Sequence, residues 1–537
     1  MKNYYSEIKP VLNKLSQLNV FDSLDVIRKY VYCAIYERFD NADKLPDIEE
    51  SLYNGIEVSF ADFLIKNSII YSAVFNAEHS LKEAKTRKEI CARIIELQHN
   101  VYENRMKDHP SIWVGAYFYN QLNMQPEGNE KIMLYRQFYV YNDPKVREVI
   151  ENTLRFPLDN YFRMIFFLYA CYANTFCYSI KDLFLFQKSD ENPDTKALKY
   201  ILSVISKPLS ELKELCKEDS RYDEDRILEY YSDSPHIQYP LIDYDEKLYC
   251  VVPAYILFST FDHIYHILNE NNDQDTRHAF ANKFENYIGD IFRHYFSETK
   301  IHYHSEITYT YHKKEKATSD WIIWDETDIC FVDCKIKRMT IPSLKANSID
   351  TNLLNSIIDK KPSKSEMDII TKQLEPSLTK DIIRLGIDLG KIFVSYDDYK
   401  QSHINEFPYM PNKKFHACLL MLEQNLCRIY EIKDYIIKIA QMYREKQSKT
   451  NESIHDDEVL ILSARDMERD IPLMAKVGIA KVMEWEQNGD IYKRKVDNVF
   501  LKDMCKLELI DTLMQDIHEK VGLIDNKDSN KKRSTCD

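Results

Sequence analysis

Up to about residue 230, apolar residues recur at three- and four-residue spacing, as in Leu24, Ile27, Val31 and Ile35. Residues 144–187 repeat the pattern, which is that of amphipathic helices. Breaks at Asp108-His109-Pro110, Pro126-Glu127-Gly128 and Asn192-Pro193 predict turns between helices. The run Met164–Ile180 is apolar enough to raise the question of a membrane span. Asn174, Thr175, Ser179 and the hydroxyls of Tyr169, Tyr172 and Tyr178 interrupt it, and a span needs about 20 apolar residues. A buried helix is expected instead, and no fixed-period repeat is visible.

Near His236 the pattern changes. Residues 236–253 predict a hairpin about Asp243-Tyr244-Asp245-Glu246, with helices following to about residue 297. The period then switches to two. Ile301, Tyr303, Ser305, Ile307, Tyr309 and Tyr311 alternate with His302, His304, Glu306, Thr308, Thr310 and His312, as in a half-buried strand. A polar turn over Lys313–Thr318, a strand over Ser319–Trp324, a turn at Asp325–Asp328 and a strand over Ile329–Lys337 come next. A helix is expected over Met367–Lys391, strands over Phe415–Met421 and Cys427–Ile432, and a helix over Tyr435–Glu445. Residues 446–458 read as a linker and 459–485 as strand plus helix. The fold class is therefore α/β. A largely helical N-terminal region (1–235) precedes a mixed-sheet core flanked by helices (236–485), then a C-terminal helix and disordered tail (486–537).

Only 9 of the 537 residues are glycine, and no GxGxxG or GxxxxGK[ST] string occurs, which excludes the usual phosphate-cradling loops. The net charge of -14, from 72 Lys+Arg against 86 Asp+Glu, argues against a polyelectrolyte binder yet leaves room for a local basic groove. The 12 cysteines are dispersed without a CxxC pair, and the opening MKNYYSEIKP lacks a signal-peptide apolar region. A cytoplasmic protein with no membrane association is expected.

If Asp325–Asp328 forms the turn of a hairpin, residues symmetric about it face each other, and Asp320 stands opposite Asp333. Opposed residues share a face with Cβ atoms about 4.5–5.5 Å apart. Lys335 follows on that face. Upstream, Phe280, Phe284, Ile288, Ile291, Phe292 and Tyr295 form a helical stripe bordered by Glu285. Paired carboxylates on a sheet repel one another at a cost that desolvation increases, and a bound Mg²⁺ or Mn²⁺ would relieve it.

Helix-borne Glu285, Asp320 in Ser-Asp-Trp and the strand Asp333-Cys334-Lys335 resemble the signature of the PD-(D/E)XK nuclease superfamily over roughly residues 265–440. Ser319 stands where the family name has proline. The resemblance implies a restriction-endonuclease-like core and metal-dependent phosphodiester hydrolysis. Its most natural form is a Mg²⁺-dependent DNA endonuclease, with Mn²⁺ as a substitute, acting as a homodimer on duplex DNA in bacterial anti-phage defence or restriction. Asp320 and Asp333 would ligate the metal, with the backbone carbonyl of Cys334 as a further ligand and Glu285 binding directly or through water. Lys335 would orient the nucleophile and stabilise developing negative charge. Gln373 and Lys372 on the following helix, and Lys337 on the Lys335 face, form a second tier. The basic turn Lys313, Lys314 and Lys316, flanked by Tyr309, Tyr311, Trp321 and Trp324, is a candidate for phosphate contact and base stacking.

Two other readings compete. Arg93 and His99 resemble the Arg-x(4-6)-His element of HEPN ribonucleases, which would place metal-independent RNA cleavage in the helical half. The alternative without catalysis is a nuclease-like binding or scaffold protein. Cys330 and Cys334 lie on the strand face opposite Asp333 and read as core, and His302, His304 and His312 read as a hydrated sheet face.

Overall fold

The computed structural model describes residues 4–37, 58–75, 77–105, 130–184, 189, 191–219, 234–271, 273–311, 313–336, 350–375, 377–402, 413–422, 430–448, 450 and 452–493. These divide into two compact units, one ending at Arg277 and the other beginning at His278.

The first unit is mainly helical, including Val20–Glu37, Val58–Tyr71, Ala84–Arg105, Leu158–Asn174, Pro193–Ile205 and Ala254–Glu270. Asn192 caps the helix that starts at Pro193, accepting a hydrogen bond from the Asp194 N–H at 2.8 Å. The apolar run is helix only as far as Asn174, within Leu158–Asn174, where Tyr161, Ile165, Leu168 and Tyr172 are fully enclosed, and its last part is strand at Cys177–Ser179 rather than the single helix expected. Among the described residues no helix is long and apolar enough to cross a membrane. Four short strands, β1 (Cys177–Ser179), β2 (Ser206–Pro208), β3 (Leu241–Tyr244) and β4 (Lys247–Cys250), form a sheet in the order β1-β4-β3-β2. The β3–β4 hairpin turns on Asp245 and Glu246, both in the left-handed region (φ 52° and 57°), as a two-residue turn with the strands' twist requires.

This sheet corrects the expected domain boundary. The hairpin does not open the second unit. It lies between β1 and β2, burying Leu241, Ile242, Leu248 and Cys250 in the helical half, so the division falls after Arg277 rather than after residue 235. At three residues each, β1 and β2 are too short to show a period.

The second unit is built on a five-stranded sheet. Its strands are β5 (His302–Ser305), β8 (Trp321–Trp324), β9 (Asp328–Lys335), β10 (Lys414–Met421) and β11 (Val459–Ser463), in the order β11-β10-β9-β8-β5. The β5, β8 and β9 strands run antiparallel, and β10 and β11 run parallel to β9. One face, with Ile322, Phe331, Ala417, Leu419 and Ile461, is covered by the helices Thr351–Lys360, Lys364–Gln373, Leu378–Ser402 and Tyr430–Ser448. On the other face the helix Gln274–Phe296 packs Phe292 edge-on against Trp321, ring centres 5.6 Å apart. Tyr287 of that helix donates to Glu468 of the helix Ala464–Val477 at 2.7 Å. The architecture is mixed α/β, as expected.

Several expected elements differ. The long strand 301–311 breaks at Glu306–Ile307. There Ile307 N–H donates to Thr318 Oγ1 at 2.8 Å and Thr318 N–H to the Ile307 carbonyl at 3.0 Å, so β6 (Thr308–Tyr311) and β7 (Lys314–Ala317) form a separate hairpin. Lys314–Ala317 is therefore strand, not turn. Lys314, Glu315 and Ala317 are exposed and Lys316 only half-buried, which leaves no apolar alternation to read. Met367–Lys391 is two helices, the first starting at the Ser363–Glu366 capping box. Tyr430–Ile432, expected in a strand, opens the helix Tyr430–Ser448, and that helix also takes in residues 446–448 of the expected linker. The breaks at 108–110 and 126–128, His312, residues 427–429 and the tail from 494 lie outside the described residues.

Candidate active site

The β8–β9 turn sets the register of the site. Asp325 accepts hydrogen bonds from the Thr327 and Asp328 N–H groups, each 2.9 Å, and donates its own N–H to the Asp328 carbonyl at 3.0 Å. The ladder then runs from Trp324↔Ile329 to Trp321↔Val332, which brings Asp320 and Asp333 to its open end on one face. Asp320 Oδ2 accepts a 2.6 Å hydrogen bond from the Cys334 N–H, and Asp333 is ion-paired with Lys335.

Glu285 reaches the same end from the helix on the other face. The Trp321 Nε1–H donates to the Glu285 carbonyl at 3.1 Å, and Gly289 lets the helix come down on the indole. A Cβ at Gly289 would meet the Trp321 ring at 2.3 and 2.5 Å. Gly289→Ala is accordingly expected to lower stability by about 1–3 kcal/mol through overpacking and to change tryptophan fluorescence. An unaltered melting temperature would count against this close approach.

The four groups act on one another electrostatically. Burial first, then Asp333 and Glu285, push Asp320 up to about 7, against smaller downward effects of the Cys334 N–H and Lys335. Glu285 is raised by burial and then by Glu306 and Asp333. For Asp333 burial outweighs the lowering by Lys335, so its carboxyl also lies above the usual range. Burial alone would lower Lys335, but Asp333, Asp388 and Asp320 together raise it.

Three buried or half-buried carboxylates against one ammonium are a set of hard oxygen donors with surplus negative charge, which suits a divalent cation such as Mg²⁺ or Mn²⁺. Cys334 is buried and its thiol is pushed well up, so its sulfur stays protonated and only its carbonyl has ligand character. Among the described residues no three His, Cys, Asp or Glu side chains are already grouped to hold a metal ion. A cation would have to draw Asp333 from Lys335.

The remaining candidates lie elsewhere. Lys372 and Gln373 are exposed at the end of the Lys364–Gln373 helix, with no contact recorded to the carboxylates among the described residues. Lys337 lies outside the described residues. The basic aromatic turn needs correction. Lys313 and Lys314 are exposed, but Lys316 is ion-paired with Asp398. The buried Tyr309 donates to the Ser395 carbonyl at 3.4 Å, and Tyr311 to Gln401 at 2.5 Å. Trp321 and Trp324 are buried, the latter stacked on His302 at 5.4 Å. Docking on the Leu378–Ser402 helix thus uses the two tyrosines and one of the three lysines, while Trp321 packs on the Gln274–Phe296 helix. His302 and His304 are exposed, and Cys330 and Cys334 are buried. Arg93 and His99 are both exposed on the helix Ala84–Arg105, where a spacing of six residues sets them about 120° apart.

No family model, curated protein or solved structure matches the chain. The case for the site therefore rests on its own residues. Two of them were not apparent from the sequence. Asp388 and Lys391, ion-paired at 2.7 Å on the Leu378–Ser402 helix, both act on Asp333, and Asp388 on Lys335. The available signal was Gly386 and Gly390 around Asp388 in a glycine-poor chain. They let this helix approach Ile439 and Tyr443 of the next, where added Cβ atoms would come within 2.6 and 2.9 Å.

Proposed function

We propose that the chain is a PD-(D/E)XK-type nuclease that hydrolyses phosphodiester bonds, principally in DNA, with Mg²⁺ and with Mn²⁺ as a substitute. The observation carrying this reading is the meeting of Asp320 and Asp333 just beyond the last pair of the β8–β9 ladder, with Lys335 beside them and Asp320 raised by burial and then by Asp333 and Glu285. The order of elements supports it: helix Gln274–Phe296, antiparallel β5, β8 and β9, helix Leu378–Ser402, then β10 parallel to β9. A restriction-endonuclease-like core has that order.

In this reading Asp320, Asp333 and the Cys334 carbonyl hold the cation, with Glu285 reaching it directly or through water. A cation held there would supply polarisation of the phosphate and a lowered pKa for an attacking water. Lys335, released from Asp333, presents its ammonium to the negative charge that develops on phosphate oxygen, and partial burial strengthens that interaction. Cutting both strands of a duplex calls for two such sites, so the proposal extends to a homodimer, and its setting to cytoplasmic anti-phage defence or restriction.

The test is incubation of the purified chain with duplex DNA, single-stranded DNA and RNA, each with Mg²⁺, Mn²⁺ or EDTA. DNA is expected to be cut with either cation and left intact in EDTA. Cleavage that persists in EDTA sinks the two-carboxylate mechanism. RNA cleavage abolished by His99→Ala and kept in Asp320→Ala transfers the activity to the helical half.

A further inference from the structure

The Leu378–Ser402 helix places a second ion pair against the first. Asp388, Ile392, Tyr396 and Tyr399 lie on one helical stripe. The Tyr396 and Tyr399 rings meet Phe331 of β9 at 5.5 and 5.9 Å. The chain leaves the C-terminal end of β9 and re-enters the sheet at the start of β10, which is parallel to β9. Phe393 and Tyr396 pack on Phe415 near that start, at 5.2 and 3.7 Å. The helix therefore runs back along β9 in the opposite direction.

Eight residues back from Tyr396 are about 12 Å, and four residues on from Phe331 are about 13 Å. Asp388 stands level with Lys335. By the same reckoning Lys391 is about 7.5 Å back along the helix and Asp333 about 6.6 Å on along the strand. The pairs Asp333–Lys335 and Lys391–Asp388 are thus arranged head to tail, each carboxylate level with the other pair's ammonium. They differ in access: the Lys391 side chain is 54% exposed and that of Lys335 30%.

We propose that Lys391 is a substrate-contacting residue whose ammonium takes a non-bridging oxygen of a nucleic-acid backbone phosphate beside the bond that is cut. This rests on the nuclease reading of the same site. When Asp333 is drawn to a cation, Asp388 becomes the counter-ion of Lys335, and Lys391 is left with an open ammonium at the mouth of the site. Asp388 is a positioning residue in this exchange.

The experiment measures binding without cleavage. A short labelled oligonucleotide, as single strand and as duplex, is titrated at one fixed concentration of Ca²⁺, which takes the same oxygen ligands in place of Mg²⁺, over a range of salt concentrations with wild type, Lys391→Gln, Lys391→Arg and Lys481→Gln. Lys481 is a matched control, ion-paired to Glu484 three residues away at 2.7 Å and 46% exposed. Lys391→Gln is expected to bind several-fold more weakly, with a log-log salt slope smaller by about 0.9 on duplex or about 0.7 on single strand, one phosphate contact being lost. Lys391→Arg is expected to keep the wild-type slope, and Lys481→Gln to leave it unchanged. Equal slopes for Lys391→Gln and Lys481→Gln overturn the proposal, and so does a wild type that binds neither oligonucleotide. Wild-type cleavage with Mg²⁺ is followed in parallel. Cleavage together with an unaltered Lys391→Gln slope defeats the Lys391 contact alone. A lost contact with no cleavage defeats the nuclease reading alone.

Discussion

Asp333→Ala is expected to lower the rate of DNA cleavage in Mg²⁺ by about a thousandfold or more, and Lys335→Ala by roughly 10²–10³. The first figure follows from losing a cation ligand, since the charge stabilisation supplied there is worth several kcal/mol and about 1.36 kcal/mol is tenfold in rate. The second corresponds to removing one donor aimed at developing negative charge. The two losses arise differently. Asp333→Ala also leaves the half-buried Lys335 with Asp388 as its strongest remaining counter-charge, so Asp333→Asn, which keeps the shape, should accompany it. Initial rates over a Mg²⁺ series, with melting temperatures for each variant, check the prediction. Asp333→Asn at the wild-type rate would remove the carboxylate from the mechanism.

The hairpin that carries these residues is legible because its information is local. The Asp325–Asp328 turn is strongly marked, and once the turn is placed, counting outward pairs Trp324 with Ile329 and brings Asp320 to Asp333. Glu285 is legible for a related reason, the period of its helix. Asp388 and Lys391 are not. They lie 53 and 56 residues beyond Lys335, and they come back to it only because a long helix must cross the sheet between two parallel strands. Periodicity also shows which positions alternate but not what covers them. Tyr309 and Tyr311 alternate as expected, yet the Leu378–Ser402 helix takes their hydroxyls and the charge of Lys316. The same limit explains the domain boundary. The β3–β4 hairpin shows plainly in the sequence, whereas its neighbours β1 and β2 are too short to read, so nothing local reveals that it belongs with the helical half.

In the metal-free protein, Asp320→Asn is expected to raise stability above pH 7 and to have little effect near pH 4. Asp320 is pushed from its ordinary value of 3.8 up to about 7 by burial, Asp333 and Glu285, so the folded state holds its proton more tightly than the unfolded state does. Stability linked to this group is then complete below the unfolded value and falls as pH rises through the interval from about 4 to about 7. Asparagine carries no charge, keeps an acceptor for the Cys334 N–H and removes that slope. Tenfold in proton affinity is about 1.36 kcal/mol. Even half the interval corresponds to about 2 kcal/mol, or several degrees in melting temperature for a unit of this size. Mg²⁺ should reverse the order. It stabilises the wild type by about 2.7 kcal/mol at a hundredfold excess over its dissociation constant, and the variant by much less. Melting curves at pH 4 and pH 8, with Mg²⁺ or EDTA, separate the outcomes. A variant less stable than wild type at pH 8 in EDTA would mean that the Asp320 carboxylate is stabilised by its surroundings, contrary to a site strained by its own charge until a cation binds.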